Sequence, residues 1–222
     1  MFFKNHGLAA LLLSVGLLTG GCDPVDPFGV AKGAVADYEW TEGKFEISSG
    51  AKIAVAVIDR RNYILNGQKT PAFNGLVREG FGVPYDSLTK SGNSLAEDFT
   101  ASIIAGLRGA GIEAEAPELS SLLSLDRSRN DLMQAKADRY LLLVINEWKT
   151  DTYWSTALQY SLELTIQSPD GAERLHKDFT GREEGKSELF TPKGRNAEVV
   201  SKLYPAKLKE IFEDGEVAAA LN

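Results

Sequence analysis

Reactive side chains are scarce in this sequence. Its 222 residues include one cysteine, two histidines and two methionines. A single thiol cannot form an internal disulfide, so the folded domain is predicted to be stable without that crosslink. Transition metals favour histidine and cysteine ligands, and a nucleophilic catalytic site usually needs histidine as its base. No acidic loop has the spacing of a calcium site. The composition therefore predicts neither catalytic residues nor a metal site.

Positive charge is also in deficit. The chain carries 24 lysine and arginine side chains against 31 aspartate and glutamate side chains, a net charge of −7. Nucleic acid and anionic lipid headgroups repel such a surface. We therefore exclude nucleic acid as a partner, and we expect any attachment to a membrane to depend on lipid rather than on charge.

Long apolar runs are confined to the N terminus. Lys4 is followed by the uncharged residues 7–18, and Leu18-Thr19-Gly20-Gly21-Cys22 closes the run. Twelve helical residues rise about 18 Å, which is too short for a hydrocarbon core of about 30 Å. A basic start, a short apolar run and small residues at its end predict a signal peptide over residues 1–21.

The residues around Cys22 resemble a bacterial lipobox, although Thr19 stands where that motif more often has alanine or a larger aliphatic residue. The resemblance implies cleavage before Cys22, a diacylglycerol on its thiol and a further acyl chain on the new N terminus. An ordinary buried thiol is the alternative. Asp23 resembles the signal that retains some Gram-negative lipoproteins in the inner membrane, which slightly favours the inner over the outer membrane.

Residues 22–37 are predicted to form a flexible tether that follows the acylated cysteine. This segment contains two prolines and two glycines among small residues, a composition typical of extended linkers. The remaining residues, 38–222, are few enough for one core and are predicted to form a single domain.

Hydrophobic patterning predicts an α+β domain in which two to three helices pack on one face of a mixed β-sheet. Ser94-Leu95-Ala96-Glu97 has the form of a capping box and predicts a helix that ends near Ala110. The other predicted elements are strands over residues 38–47, 52–59, 112–116 and 140–148, a helical stretch over 118–137, a hairpin over 158–182 and a final helix over 196–213.

Residues 60–93 show no sustained period, and glycine and proline interrupt them repeatedly. We predict a long loop here, a feature that is commonly functional in a compact domain. Its aromatic residues, among them Phe73, Phe81 and Tyr85, indicate that the loop packs against something.

The element order resembles that of the YajG-type envelope lipoproteins. The resemblance covers residues 51–222 and rests on the helix 94–110 before Gly111-Ile112, the strand after Ala137-Asp138, the hairpin 158–182 and the final helix closing in Asp214-Gly215-Glu216. More distantly, the order is similar to lipoprotein domains of the curli-secretion and penicillin-binding-protein-activator groups. The resemblance implies a lipid-anchored periplasmic domain that has no catalytic residues to carry over.

Several polar motifs have simple structural interpretations. His176 is predicted to be a solvated strand residue, and Glu183-Glu184 to be solvated charges. Asp59-Arg60-Arg61 favours an ion pair at the end of a strand over an anion site. Gly80-Phe81-Gly82 is interpreted as a turn, because it does not lie between a strand and a helix N terminus as a phosphate loop would.

Recognition is the function that the sequence favours. Tyr153 and Trp154 lie between two predicted strands, and exposed aromatic residues are enriched in interfaces. They either form a contact surface together with Phe73, Phe81 and Tyr85 or fold back onto the sheet. We predict a non-enzymatic lipoprotein with no cofactor besides its lipid, whose partners are the membrane and an envelope protein.

Two alternatives come from other classes of protein. One is a module that binds lipid or peptidoglycan fragments in an apolar pocket under residues 60–93. The other is a hydrolase of envelope polymers, which would need His176 or the pair Glu183 and Glu184 in a cleft.

Overall fold

The computed structural model describes residues 34–79, 81–120 and 124–222. The predicted signal peptide, Cys22 and most of the predicted tether lie outside these ranges. The strands are β1 (Ala34–Ala36), β2 (Ile53–Asp59), β3 (Phe73–Glu79), β4 (Val83–Thr89), β5 (Ala114–Glu115), β6 (Arg139–Thr152), β7 (Thr156–Gln167) and β8 (Glu173–Gly185). The helices are α1 (Asn62–Leu65), α2 (Leu95–Gly109), α3 (Leu125–Met133), α4 (Pro192–Phe212) and α5 (Gly215–Leu221).

The described strands join one mixed sheet in which β6 is the central strand. The first half of β6 pairs in parallel with β2, and its last residues pair in parallel with β3, from Gly75↔Thr150 to Val77↔Thr152. The opposite edge of β6 pairs along its length with β7, which in turn pairs with β8. Because β6 has 14 residues, it holds two neighbours end to end on one edge.

Helices cover both faces of the sheet. The odd-numbered positions 53–57 of β2 belong to the same core as buried residues of α2, α4 and α5. The even-numbered positions 54–58 pack with Leu132 of α3 on the other face. The predicted α+β class, with helices packed on a mixed sheet, is confirmed: α2, α4 and α5 cover one face, and α3 covers the other. Burial on both faces explains why β2 is an uninterrupted apolar run.

Helix α2 begins with the predicted capping box. The Ser94 hydroxyl accepts a hydrogen bond from the Glu97 backbone N–H at 3.3 Å, and the Glu97 carboxylate accepts one from the Ser94 backbone N–H at 2.8 Å. Leu107 and the apolar residues at four-residue intervals before it are fully buried. Within the described ranges, no helix combines the length and apolar composition that spanning a bilayer requires.

The start of the domain corrects two predictions. Residues 34–36, placed in the tether, form β1 and pair in parallel with β4, from Ala34↔Ser87 to Ala36↔Thr89. Residues 38–47, predicted as an edge strand, are irregular, and Phe45 packs against Gly106 of α2. A three-residue strand is too short to show a period, and the apolar residues of 38–47 were the stronger signal.

The predicted long loop over residues 60–93 is also corrected. The segment contains α1, β3 and β4, and the last two form an antiparallel pair. Gly75 interrupts the pattern for a packing reason: a Cβ atom there would lie 2.0 Å from the Thr150 hydroxyl oxygen of β6. Charged residues obscure the strand pattern further. Arg78 of β3 is one of them, and its guanidinium forms an ion pair with Asp151 of β6 at 2.7 Å. Phe73 and Val77 turn inward and are buried.

Candidate binding site

Three connections meet at one end of the sheet. The parallel pairing of β3 with β6 brings the β3–β4 turn beside the β6–β7 turn. The pairing of Thr156 with Gly185 brings the end of β8, and the segment leading to α4, to the same end. These connections and the first residue of β4 carry five apolar side chains, which together we call the aromatic end: Phe81, Val83, Trp154, Leu189 and Phe190.

The aromatic end concentrates the exposed apolar surface of the described part of the chain. Seven large hydrophobic side chains are exposed in the described part of the chain. Five of them belong to the aromatic end, and the other two are Val35 and Leu65. Phe81 is fully exposed, while Trp154 is 81% and Phe190 96% exposed. Single exposed apolar residues are ordinary in soluble proteins, but a cluster marks a contact surface.

Arg195 of α4 braces two of the three connections. Its guanidinium donates hydrogen bonds to the carbonyl oxygens of Tyr153, Leu189 (3.2 Å) and Phe190 (3.3 Å). The Tyr153 ring is half-buried and its centroid lies 4.9 Å from that of Trp154. Trp154 and Phe190 are therefore exposed on a backbone that one half-buried cation holds in place.

A buried polar network lies beneath these connections. The Asn196 amide nitrogen donates to the hydroxyl oxygens of Thr150 (2.9 Å) and Thr152 (3.1 Å), and its carbonyl oxygen accepts from the Ser87 hydroxyl at 3.0 Å. Thr152 in turn shares a hydrogen bond of 2.9 Å with Thr156. All these side chains are buried. A satisfied network of this kind fixes the mutual positions of β4, β6, β7 and α4.

A groove of about 780 Å³ lies between the end of β8 and the first turns of α4, with Trp154 at its rim. Gly185 lets the strand approach the helix closely, since a Cβ atom there would lie 2.0 Å from a Val199 methyl group. The charged side chains of the lining are Glu184, Lys186, Glu188, Arg195, Glu198 and Lys202. Hydrogen bonds from Lys202 and then Ser187 lower the pKa of Glu198. A lining of both charge signs suits a polar peptide segment.

The predicted contact residues fall into two groups. Phe81 and Trp154 are exposed at the aromatic end, and Tyr153 lies half-buried against Trp154. Tyr85 is half-buried under the Lys193 ammonium, which lies 5.1 Å from its ring centroid. Phe73 has to be removed from the set because it is 1% exposed and packs against Tyr63, with ring centroids 5.3 Å apart.

Leu189 and Phe190 were missed by the reasoning from sequence. They are adjacent apolar residues in a charged segment, directly before Thr191, whose hydroxyl accepts a hydrogen bond from the Gly194 backbone N–H at 3.2 Å. The signal was present: two large apolar residues before a helix N-cap belong either to a hydrophobic staple or to an exposed surface. Only the fold decides between the two, because it leaves Leu189 47% and Phe190 96% exposed.

The side chains proposed for catalysis are not brought together. Glu183 and Glu184 are consecutive on β8, so they face opposite sides of the sheet. Glu183 pairs with the buried Lys207 ammonium, whereas Glu184 lines the groove. His176 is half-exposed, with Nδ1 3.3 Å from the Thr165 hydroxyl oxygen. The described residues hold no group of three histidine, cysteine or acidic side chains that could bind a metal ion.

The ligand module also lacks support at its expected position. The segment 60–93 was expected to cover an apolar pocket, but Phe73 and Val77 fill the space beneath it as part of the buried core. The hollow of about 450 Å³ beside Lys90 has Asp37, Glu39 and Asp98 in its lining. Three carboxylates border this hollow beside apolar residues such as Trp40 and Ala101, so it is not the purely apolar pocket that the ligand module was expected to have.

No family model matches this chain, and no curated protein matches it. A solved structure from Xanthomonas campestris, described as a protein of the family DUF330, is similar at 12% identity and a TM-score of 0.50, covering 83% of this chain and 96% of that one. An uncharacterized protein has 11% identity and a TM-score of 0.45, covering 82% and 98%. Lipoprotein GNA1162 from Neisseria meningitidis has 13% identity and a TM-score of 0.38, covering 74% and 99%. At 12% identity, the first likeness shows a shared fold, and the YajG-type resemblance stays a prediction.

Proposed function

We propose that this protein is a lipid-anchored lipoprotein that faces the periplasm and binds another component of the cell envelope, without catalysing a reaction. The observation that carries the proposal is the collection of five of the seven exposed large hydrophobic side chains of the described part at one braced end of the sheet. Large aromatic side chains bury much area at a small entropic cost, so they are efficient contact residues.

The proposed anchor is Cys22, which lies outside the described residues. Removing the signal peptide takes away Lys4, so 24 basic side chains become 23 against 31 acidic ones and the net charge becomes −8. Such a body has no general electrostatic attraction to anionic lipid. A diacylglycerol with a further N-acyl chain supplies stable attachment where one chain would be marginal. Asp23 slightly favours the inner membrane.

The groove supports a protein segment as the bound component. Its lining contains both acidic and basic side chains, among them Glu188 and Lys186, while Trp154 stands at the rim. A peptide can pair its own charges with such a lining and cover the indole ring at the same time. Charged pairs across an interface set register and specificity, and the aromatic residue contributes most of the affinity.

Replacing Cys22 with serine tests the anchor. We expect the Cys22→Ser protein to incorporate no radioactive palmitate and to move from the membrane fraction to the soluble periplasmic fraction, because serine cannot form the thioether to diacylglycerol. Thr19→Ala is the matched control, since alanine fits the lipobox and should leave labelling and fractionation unchanged. Equal labelling of the Cys22→Ser protein would contradict the proposal.

Replacing Trp154 with alanine tests the contact surface. Crosslinking the acylated protein in its own membrane, followed by mass spectrometry, identifies the bound component. If Trp154 is a central contact, its truncation costs about 2 kcal/mol or more, which lowers the affinity roughly 30-fold. Stability should change little because Trp154 is 81% exposed.

Leu65→Ala is the control for this measurement, because Leu65 is exposed outside the aromatic end. It should leave both the crosslinks and the affinity unchanged. Identical crosslink yields from the Trp154→Ala protein and the unaltered protein would rule out this surface as the binding site.

A further inference from the structure

The chain enters the sheet close to the aromatic end. Strand β1 pairs in parallel with β4, which runs away from that end, so Ala34 is the residue of β1 nearest to it. The register links Ala34 to Ser87, Ser87 to Gly75 and Gly75 to Thr150. Ala34 is therefore level with Thr150 on the central strand.

The register gives the distances from this entry point to the two ends of the domain. Trp154 lies four positions beyond Thr150, which corresponds to about 13 Å along the strand direction at about 3.3 Å per residue. Arg139, the first residue of β6, lies eleven positions before Thr150, which corresponds to about 36 Å. The entry point is thus much closer to the aromatic end.

The length of the predicted tether makes this difference matter. Eleven residues, 23–33, separate the proposed lipid attachment at Cys22 from Ala34, so twelve Cα-to-Cα steps connect the two. A flexible chain of that length spans about 20 Å on average and about 40 Å when fully extended. The average span exceeds the distance to the aromatic end, but reaching past the opposite end requires almost complete extension. The tether therefore favours a domain whose aromatic end points toward the bilayer.

We propose that the aromatic end rests in the interfacial region of the bilayer that holds the lipid anchor, with Phe81, Trp154 and Phe190 as its contacts. Tryptophan is enriched at membrane interfaces, and exposed aromatic side chains gain free energy by burial at the boundary between headgroups and acyl chains. The inference rests on the lipidation of Cys22 in the proposed function.

Anionic lipid headgroups repel the acidic domain, but this repulsion does not prevent the contact. The anchor keeps the domain at a high effective concentration beside the bilayer, so a weak apolar contact is sufficient. Three aromatic side chains on neighbouring connections supply that contact without a basic patch. The groove rimmed by Trp154 then opens beside the membrane surface, and the component that it binds is one presented at that surface.

Quenching of tryptophan fluorescence by brominated lipid tests the orientation. The processed, acylated protein is reconstituted in phosphatidylcholine vesicles with or without bromine on the acyl chains. The chain has three tryptophans: Trp148 is 1% exposed, and Trp40 is partly buried and packs against the Phe45 ring, with centroids 4.6 Å apart. We expect the brominated lipid to quench Trp154 only.

The variants assign the quenching to its source. Trp154→Phe should abolish the quenching while Trp40→Phe retains it. Phe81→Ser and Phe190→Ser should each reduce the quenching of Trp154, because both side chains are exposed and their loss weakens insertion without disturbing the core. Leu65→Ser, at an exposed position outside the aromatic end, should leave the quenching unchanged.

Flotation of the vesicles separates the two ways of failing. Protein that floats with the vesicles but shows no quenching of Trp154 overturns the orientation, while it leaves the anchor and the proposed binding of a partner at the aromatic end intact. Protein that does not float with the vesicles overturns the lipid anchor and, with it, this inference.

Discussion

Replacing Arg61 with alanine is expected to lower the free energy of unfolding by about 3–5 kcal/mol, the usual cost of removing one partner of a buried ion pair. Arg61 is fully buried. Its Nη2 and Nε donate to the two carboxylate oxygens of Asp59 at 2.6 Å and 2.9 Å. The ion-pair interpretation of Asp59-Arg60-Arg61 is therefore the one that the structure shows.

The guanidinium also connects three strands. Its Nη1 donates to the carbonyl oxygens of Phe73 at 2.6 Å and Trp148 at 3.1 Å, so one side chain links the end of β2 to β3 and β6. Burial alone would lower the pKa of Arg61, but the hydrogen bonds and charge of Asp59 outweigh burial and raise it. Truncation would leave a buried carboxylate without its cation and two carbonyl oxygens without this donor.

Urea unfolding followed by circular dichroism measures this effect. Arg60→Ala is the matched control, because Arg60 is an exposed neighbour of the same residue type and should change stability by less than about 0.5 kcal/mol. Arg61→Lys should recover only part of the loss, since an ammonium cannot reproduce the bidentate contact. A change below about 1 kcal/mol for Arg61→Ala would contradict the proposed importance of the pair.

Replacing Gly75 with alanine is expected to destabilise the domain by about 3 kcal/mol, at the upper end of the usual cost of overpacking. An alanine Cβ would lie 2.0 Å from the Thr150 hydroxyl oxygen, 2.5 Å from the Thr150 carbonyl oxygen and 2.8 Å from its backbone nitrogen. Two of these atoms belong to the backbone of β6, so a change of side-chain rotamer cannot relieve the contact. Strand β3 has to move away from β6.

This displacement should reach the aromatic end. The β3–β4 pair carries Phe81 and Val83, and its attachment to β6 includes the pairing of Gly75 with Thr150. Amide hydrogen exchange should therefore speed up throughout residues 73–89. Quenching of Trp154 by brominated lipid should also fall, because Phe81 no longer inserts beside it.

Gly50→Ala provides the comparison for this substitution. A Cβ atom at Gly50 would have open space around it, with no heavy atom within 4 Å. Alanine there should be neutral or stabilise by up to about 1 kcal/mol, through the lower entropy of the unfolded chain. Equal stabilities and equal exchange rates for the Gly75→Ala and Gly50→Ala proteins would show that the close approach of β3 to β6 is not needed.

Elements with local signals could be predicted from the sequence. The capping box at Ser94 satisfies backbone donors within one turn of helix, so α2 was predicted with nearly its observed bounds. The apolar run of β2 and the alternation of β7 were equally informative, because each reports the burial of its own residues. Strands β7 and β8 form the hairpin predicted over residues 158–182, and the local turn sequence Ser168-Pro169-Asp170-Gly171 joins them.

Elements that depend on distant partners could not be predicted from the sequence. Strand β1 exists because Ala34–Ala36 pairs with β4, and a sequence of three small residues does not predict that pairing. Strands β3 and β4 contain a glycine, a proline and several charges, and the residues that these contact lie far along the chain. Gly75 approaches Thr150, and Arg78 pairs with Asp151. The same limit explains Phe73, whose burial is decided by its neighbours rather than by its residue type.

The sequence alone determined the predicted lipid attachment at Cys22, the acidic charge and the order of the main elements, since each follows from residues adjacent in the chain. The tertiary structure decided which aromatic residues are exposed and where the chain enters the sheet. The exposure of these residues and the entry point both depend on strand pairing between distant segments. Strand β6 pairs with β2 and β3 on one edge and with β7 on the other. That pairing gathers Phe81, Trp154 and Phe190 at one end and places Ala34 beside it.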